Sequence, residues 1–200
     1  MKIVCLCGID GSGKSTLIER IKSSQYGPDI LFKSFNYRTF VNDFLLANPT
    51  IQSSKINDYS IAQRTSFVNA YAKDFQQFYL NEIQPHFNSN KIIVCDRWLH
   101  CIFAFENCLN VKSKFVKNLF KNMLSGDLIF FVTIDPTIAF ERQKSSAKNY
   151  KKGLSLLIEY QVSYERYFES SNYNFFEIKN VDLNESLKFI SAKIKTLHSR

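Results

Sequence analysis

The sequence predicts an α/β protein built on a parallel β-sheet of about five strands, wrapped by helices on both faces. Three observations carry this prediction. Short continuous apolar runs, Ile92-Ile93-Val94-Cys95 and Leu128-Ile129-Phe130-Phe131-Val132, match strands covered on both sides, where a half-exposed strand would alternate. Segments of helical period separate the runs, as the long connection between parallel strands requires. A glycine-rich turn follows the first apolar run at once and leads into a helical pattern.

Taken in order, Lys2 to Cys7 is the first strand, and Leu17, Ile18 and Ile21 give the segment Ser15 to Ser23 one apolar face. Leu31 to Phe35 is a second strand. From Ser60 to Phe87, residues such as Phe67, Tyr71, Phe75 and Phe78 recur at spacings of three and four, which predicts a long helix ending near Pro85. The two apolar runs at 92 and 128 are central strands, and Asp135-Pro136 after the second is a good start for a helix over Ile138 to Lys144. Lys144 to Gly153 is basic and nearly free of apolar residues, whereas helical period resumes from Leu154 to Phe168. Phe175 to Ile178 offers a last strand. Leu183 to Leu197 closes as an amphipathic helix with Leu187, Ile190 and Ile194 on one face. With no repeat, low-complexity tract or linker, the 200 residues read as one domain around one core. Its ligand crevice belongs beyond the carboxyl ends of the strands.

Apolar residues at 45% and charged residues at 22%, with 19 Phe and 10 Tyr, exclude a disordered tail. The 26 basic residues outnumber 18 acidic ones, and a formal charge of +8 favours anionic partners: nucleotides, nucleic acid or an acidic surface. Cys5, Cys7, Cys95, Cys101 and Cys108 are odd in number and lack a Cys-x-x-Cys spacing, so they read as reduced thiols and not as disulfides or a zinc site. The first apolar run falls well short of the ~18 residues of a membrane span, and no secretory leader is visible. The expected location is the cytoplasm, with no membrane partner.

The strongest motif is Gly8-Ile9-Asp10-Gly11-Ser12-Gly13-Lys14-Ser15-Thr16, which fits G-x-x-x-x-G-K-[ST] between a strand and a helix. Gly11 and Gly13 let the backbone turn its N–H groups around phosphate oxygens, and the helix beginning near Lys14 adds its positive end. Lys14 reaches the β and γ phosphates, and the Ser15 hydroxyl is suited to Mg²⁺. The motif predicts a P-loop NTPase that binds a nucleoside triphosphate such as ATP. A solvated glycine turn would leave the coincidence of two glycines, a lysine and a hydroxyl at this register unexplained.

Asp96-Arg97-Trp98 follows directly on the strand at 92, so its side chains emerge on the same sheet edge as the phosphate loop. Asp96 there suits Mg²⁺, and the Arg97 guanidinium offers a fork for a second phosphate, although an ion pair capping the next helix is the plainer alternative. Arg142, Lys144, Lys148, Lys151 and Lys152 crowd a polar stretch that a triphosphate would order, which predicts a mobile basic lid over about 143–154.

Together these residues resemble the thymidylate kinase family of nucleoside monophosphate kinases over most of the chain. The loop Gly8 to Thr16, Asp96-Arg97-Trp98, and Phe35-Asn36-Tyr37-Arg38-Thr39 carry the resemblance, with Ile134-Asp135-Pro136 through Glu141-Arg142 leading into the lid. It implies that Asp10 meets the acceptor's sugar, that Arg97 and Arg38 hold its phosphate, that the lid, with Arg142 just before it, supplies catalytic cations, and that the chain forms a homodimer. Aligned on Ile83-Gln84-Pro85, the family's base-stacking aromatic falls on Tyr71, and the arginine that reads the thymine edge falls on Phe75. Lys73 is the candidate substitute. His100, Cys101 and Ile102 replace the family's small residues.

The resulting expectation is phosphoryl transfer from ATP, with Mg²⁺, to a deoxynucleoside monophosphate, dTMP foremost. A kinase of a nucleoside hydroxyl, with Asp96 or Asp10 as base, and a nucleotide-cycling or nucleic-acid-binding protein are the alternatives. No groove-reading motif or basic stripe interleaved with aromatics favours nucleic acid.

Overall fold

The computed structural model describes residues 1–23, 29–144 and 153–198. Five strands, β1 (Lys2–Cys7), β2 (Ile30–Ser34), β3 (Ile92–Asp96), β4 (Leu128–Thr133) and β5 (Phe176–Lys179), form one sheet in the order β2-β3-β1-β4-β5. Every pairing is parallel. The apolar runs form strands here because both faces are covered, which removes the need for alternation. In β1, Ile3, Cys5 and Cys7 enter one core layer while Val4 and Leu6 enter the other.

The smaller layer lies under α1 (Lys14–Ser23) and α8 (Leu183–His198), through Leu17, Ile18 and Ile21 of the first and Ile190 and Ile194 of the second. The larger layer is aromatic and is covered by α3 (Ile61–Phe78), α4 (Leu99–Cys108) and α7 (Leu154–Ser170), flanked by α2 (Thr39–Ala47), α5 (Lys114–Phe120) and α6 (Pro136–Lys144). Helix α3 opens with a reciprocal capping box between Ser60 and Gln63. It then continues as a π-helical turn over Tyr79–Ile83 and a 3₁₀ turn over Gln84–His86, so the expected helix to Pro85 is present with altered winding at its end. Helices α2, α4 and α5 were not predicted.

Register places the chemistry. Leu6 pairs with Asp96, and Asp96 pairs with Ser34 across β3. Cys7 pairs with Phe131, and Thr133 with Lys179. The segments leaving all five strands therefore converge on one edge, with the break in strand order beside β1. None of the five cysteines forms a disulfide, and Cys5, Cys7, Cys95 and Cys101 are buried. No group of three or more His, Cys, Asp or Glu suited to a metal occurs among the described residues. No helix among them is long and apolar enough to cross a membrane.

Candidate active site

The turn after β1 is an open cradle. Gly11 and Gly13 have φ of +87° and +93°, a region closed to most side chains. A Cβ at Gly13 would run into the amide of Asn180, which leaves the end of β5 and donates from Nδ2 to Ser12 O at 2.7 Å. A Cβ at Gly11 would meet the Ala139 carbonyl of α6. Lys14 opens α1 with its side chain folded back, donating to Ile9 O at 2.7 Å and Ser12 Oγ at 3.2 Å. Burial, aided by the Arg97 cation, draws its pKa down to about 8. The ammonium thus rests on substitutes for the oxygens of an anion.

Across the edge, the Ser15 hydroxyl donates to Asp96 Oδ2 at 2.7 Å. Asp96 Oδ1 is buried without a hydrogen-bond partner. A hydroxyl and a carboxylate oriented together, with one carboxylate oxygen unsatisfied, fit a hard divalent cation such as Mg²⁺, which takes oxygen ligands of this kind. Arg97 has φ of +75°, uncommon for a residue with a side chain, and is pinned on either side: its N–H donates to Leu6 O at 3.0 Å, and the Trp98 indole donates to Leu124 O at 2.9 Å. Its guanidinium forms an ion pair with Asp10. Burial works against its charge, but the Asp10 carboxylate outweighs this and holds its pKa well above the usual value.

Arg38 precedes α2 and sets its guanidinium 5.6 Å from the centre of the Tyr71 ring. Burial pushes the Tyr71 hydroxyl up to about 12, so it stays neutral. Arg142, in the last turn of α6, reaches back with Nη1 3.4 Å from Gly11 O. The predicted lid falls mostly on 145–152, outside the described residues; Lys148, Lys151 and Lys152 are among them.

Two cavities share this edge. A cleft of about 920 Å³ runs along the loop and is lined by Gly11, Gly13, Lys14, Ser15, Thr16, Asp96, Arg142 and Asn180 among others. A pocket of about 270 Å³ is lined by Val41, Asn42, Leu45, Phe67, Tyr71, Phe105 and Tyr160. Asp10, Arg38 and Arg97 line both. The geometry suits two phosphate-bearing ligands meeting at a pair of guanidinium groups.

Not every expected residue arrives. Phe75 is 0% exposed and packs against Phe35, Phe78, Trp98 and Phe120 in the aromatic core, away from the pocket walls. On α3 the residue that lines the pocket beside Tyr71 is Phe67, one turn before that tyrosine. Lys73 lies over the rings of Phe40 and Phe115 and lines neither cavity. His100, Cys101 and Ile102 are buried inside α4. Sequence reasoning missed Phe67, Phe105, Tyr160 and Asn180. The helical spacing of Phe67 from Tyr71 is a signal that finds the first, and nothing local marks the other three.

Comparison with known proteins agrees with this geometry. The family model described as thymidylate kinase matches residues 6–194. A thymidylate kinase of Leptospira borgpetersenii is 28% identical over 169 residues, covering 80% of this chain and 77% of its own. That of Leptospira interrogans is 24% identical over 195 residues, covering 94% and 93%. A third, from Brachyspira hyodysenteriae, is 22% identical over 147 residues, covering 70% and 67%. With a glycine-rich loop of phosphate-binding pattern, an Asp-Arg pair and Tyr71 gathered around adjoining cavities, and a family match that spans nearly the whole length, the chain belongs to the thymidylate kinase family.

Proposed function

We propose that this enzyme moves the γ-phosphoryl group of ATP, with Mg²⁺, onto the 5′ phosphate of a deoxynucleoside monophosphate, with dTMP the favoured acceptor, and that it acts in the cytoplasm as a homodimer. The observation that carries the reading is the pair of adjoining cavities that share Asp10, Arg38 and Arg97. The larger holds the donor along the phosphate loop. The smaller takes the acceptor, with its base on Tyr71 and its phosphate toward the two arginines.

Binding of the donor draws the Lys14 ammonium from Ile9 O and Ser12 Oγ to the β and γ phosphates, an exchange of weak acceptors for strong ones. Arg97 and Arg38 hold the acceptor phosphate so that one of its oxygens points at the γ phosphorus. A bond forms between them as the bond to the β–γ bridging oxygen breaks, and ADP leaves. Arg142 approaches the loop from α6 and sets its positive charge against the negative charge on the oxygens of the transferring group. Ser15 and Asp96 would hold Mg²⁺, which when bound neutralises charge on the β and γ oxygens. Positioning and charge do the work, and no covalent intermediate is required.

A nucleoside hydroxyl as acceptor would call for a carboxylate base, yet Asp10 is committed to Arg97 and Asp96 receives the Ser15 hydroxyl. Apart from Arg38 and Arg97, which face the acceptor phosphate in this reading, the pocket lining carries Asn42 and no further cation, so selection among pyrimidines is gentler than a charged donor at the base edge would impose. A panel of nucleoside monophosphates with ATP and Mg²⁺, followed by ADP release, tests the reading. Release with dTMP above all other acceptors is the expected result. No release with any monophosphate would overturn it.

A further inference from the structure

Asp74 lies on α3 at 0% exposure, a costly place for a carboxylate unless its oxygens are satisfied. They accept from Phe40 N at 2.9 Å and Val41 N at 3.0 Å, the second and third residues of α2. These are the donors that a helix leaves open at its start and that a Ser, Thr, Asp or Asn at the N-cap normally satisfies. The N-cap residue here is Arg38, whose side chain makes no capping hydrogen bond. Its carbonyl accepts from Asn42 N at 2.8 Å, which ties the Arg38 backbone to the turn that Asp74 holds. Tyr71 lies one turn before Asp74 on the same helix, beneath the Arg38 guanidinium.

We infer that Asp74 is a positioning residue for the acceptor: by capping α2 from α3, it leaves position 38 to an arginine and fixes that arginine in register with Tyr71. The inference rests on the reading above in which Arg38 meets the acceptor phosphate. A local cap would require a short side chain at 38 and would forfeit the guanidinium. The cap from a distance resolves that conflict, and it couples the stacking ring and the phosphate clamp through one rigid helix.

Asp74→Asn retains shape but leaves one of the two amides without an acceptor. The KM for dTMP is expected to rise about tenfold, the scale of one lost charge-assisted hydrogen bond, with the KM for ATP changed less than about twofold. In an Arg38→Ala background the same substitution should add less than about twofold to the dTMP KM. Equal shifts in both KM values, no shift in either, or full additivity with Arg38→Ala would overturn the inference, since a purely structural loss does not sort between substrates. Amide hydrogen exchange of the intact wild-type protein gives a readout that needs no variant and no turnover: Phe40 and Val41 should exchange slowly, and fast exchange there would refute the cap. Absence of turnover with every monophosphate would instead sink the proposed function and leave exchange to judge Asp74.

Discussion

Lys14 is an ammonium at 4% exposure, where burial works against its charge. With an ordinary value of 10.5 and a folded value of about 8, it binds its proton less readily folded than unfolded. Between those limits the unfolded chain holds more protons, so this group makes stability rise with pH from about 8 to 10.5, and below 8 its full cost, on the order of 3 kcal/mol, is present. Lys14→Met should flatten that rise in a pH series of denaturant melts while abolishing turnover. A polyphosphate reverses the shift, so ATP binding near pH 9 should take up a proton, visible as a binding enthalpy that varies with the buffer's ionisation enthalpy. Gly13→Ala has a different cause, since a methyl at φ of +93° presses on the Asn180 amide. It should cost about 1–3 kcal/mol and weaken ATP before dTMP, as thermal melts and paired KM values would show. The loop residues were legible in the sequence because few chemistries need that spacing. Phe75 was misjudged because Tyr71 and Phe75 share a helical stripe, and the spacing does not reveal where the pocket stops and the core begins.

Among the elements, legibility followed the strength of local signals. The strands and α3 carry continuous apolar runs or a sustained helical period, and Ser60 with Gln63 announces where α3 begins. Ser60→Ala should lower stability by about 1 kcal/mol in equilibrium unfolding, with activity retained. Helix α2 escaped because its cap comes from Asp74, 34 and 33 positions beyond the two amides it accepts from, so its start leaves no mark in its own residues. Helix α4 escaped for the opposite reason: Leu99, His100, Cys101, Ile102, Ala104 and Phe105 are buried on every side, and a helix without a polar face has no period to read. Within it, His100 pairs Nε2 with Ser125 O at 2.8 Å and Nδ1 with the Tyr167 hydroxyl at 3.0 Å. Burial lowers its pKa from 6.5 to about 4. The unfolded chain therefore takes up the proton first on acidification, and the melting temperature should fall as pH drops from 6.5 through 4. His100→Gln should lessen that slope, whatever its effect at neutral pH, in a pH series of melts.

For the molecule as a whole, the parallel sheet and the edge that carries the glycine-rich turn were readable because apolar runs alternating with helical segments admit few arrangements, whereas the strand order β2-β3-β1-β4-β5 was not. What the chain does not display locally is how far apart in sequence the walls of one pocket lie: Val41, Phe67, Phe105 and Tyr160 come from four helices. Ligands that join those helices should stabilise the fold beyond their local contacts. At about a hundredfold over its dissociation constant, dTMP should add about 2.7 kcal/mol to unfolding, and a melt without any shift would argue against the pocket. The shared border of the two cavities has a practical consequence for redesign. Exchanging Asp10, Arg38 or Arg97 disturbs both nucleotides at once, whereas Phe67, Phe105 and Tyr160 touch only the smaller chamber. A campaign to retrain this catalyst for another base should begin with those three rings, where taste can drift while the fuel supply stays untouched.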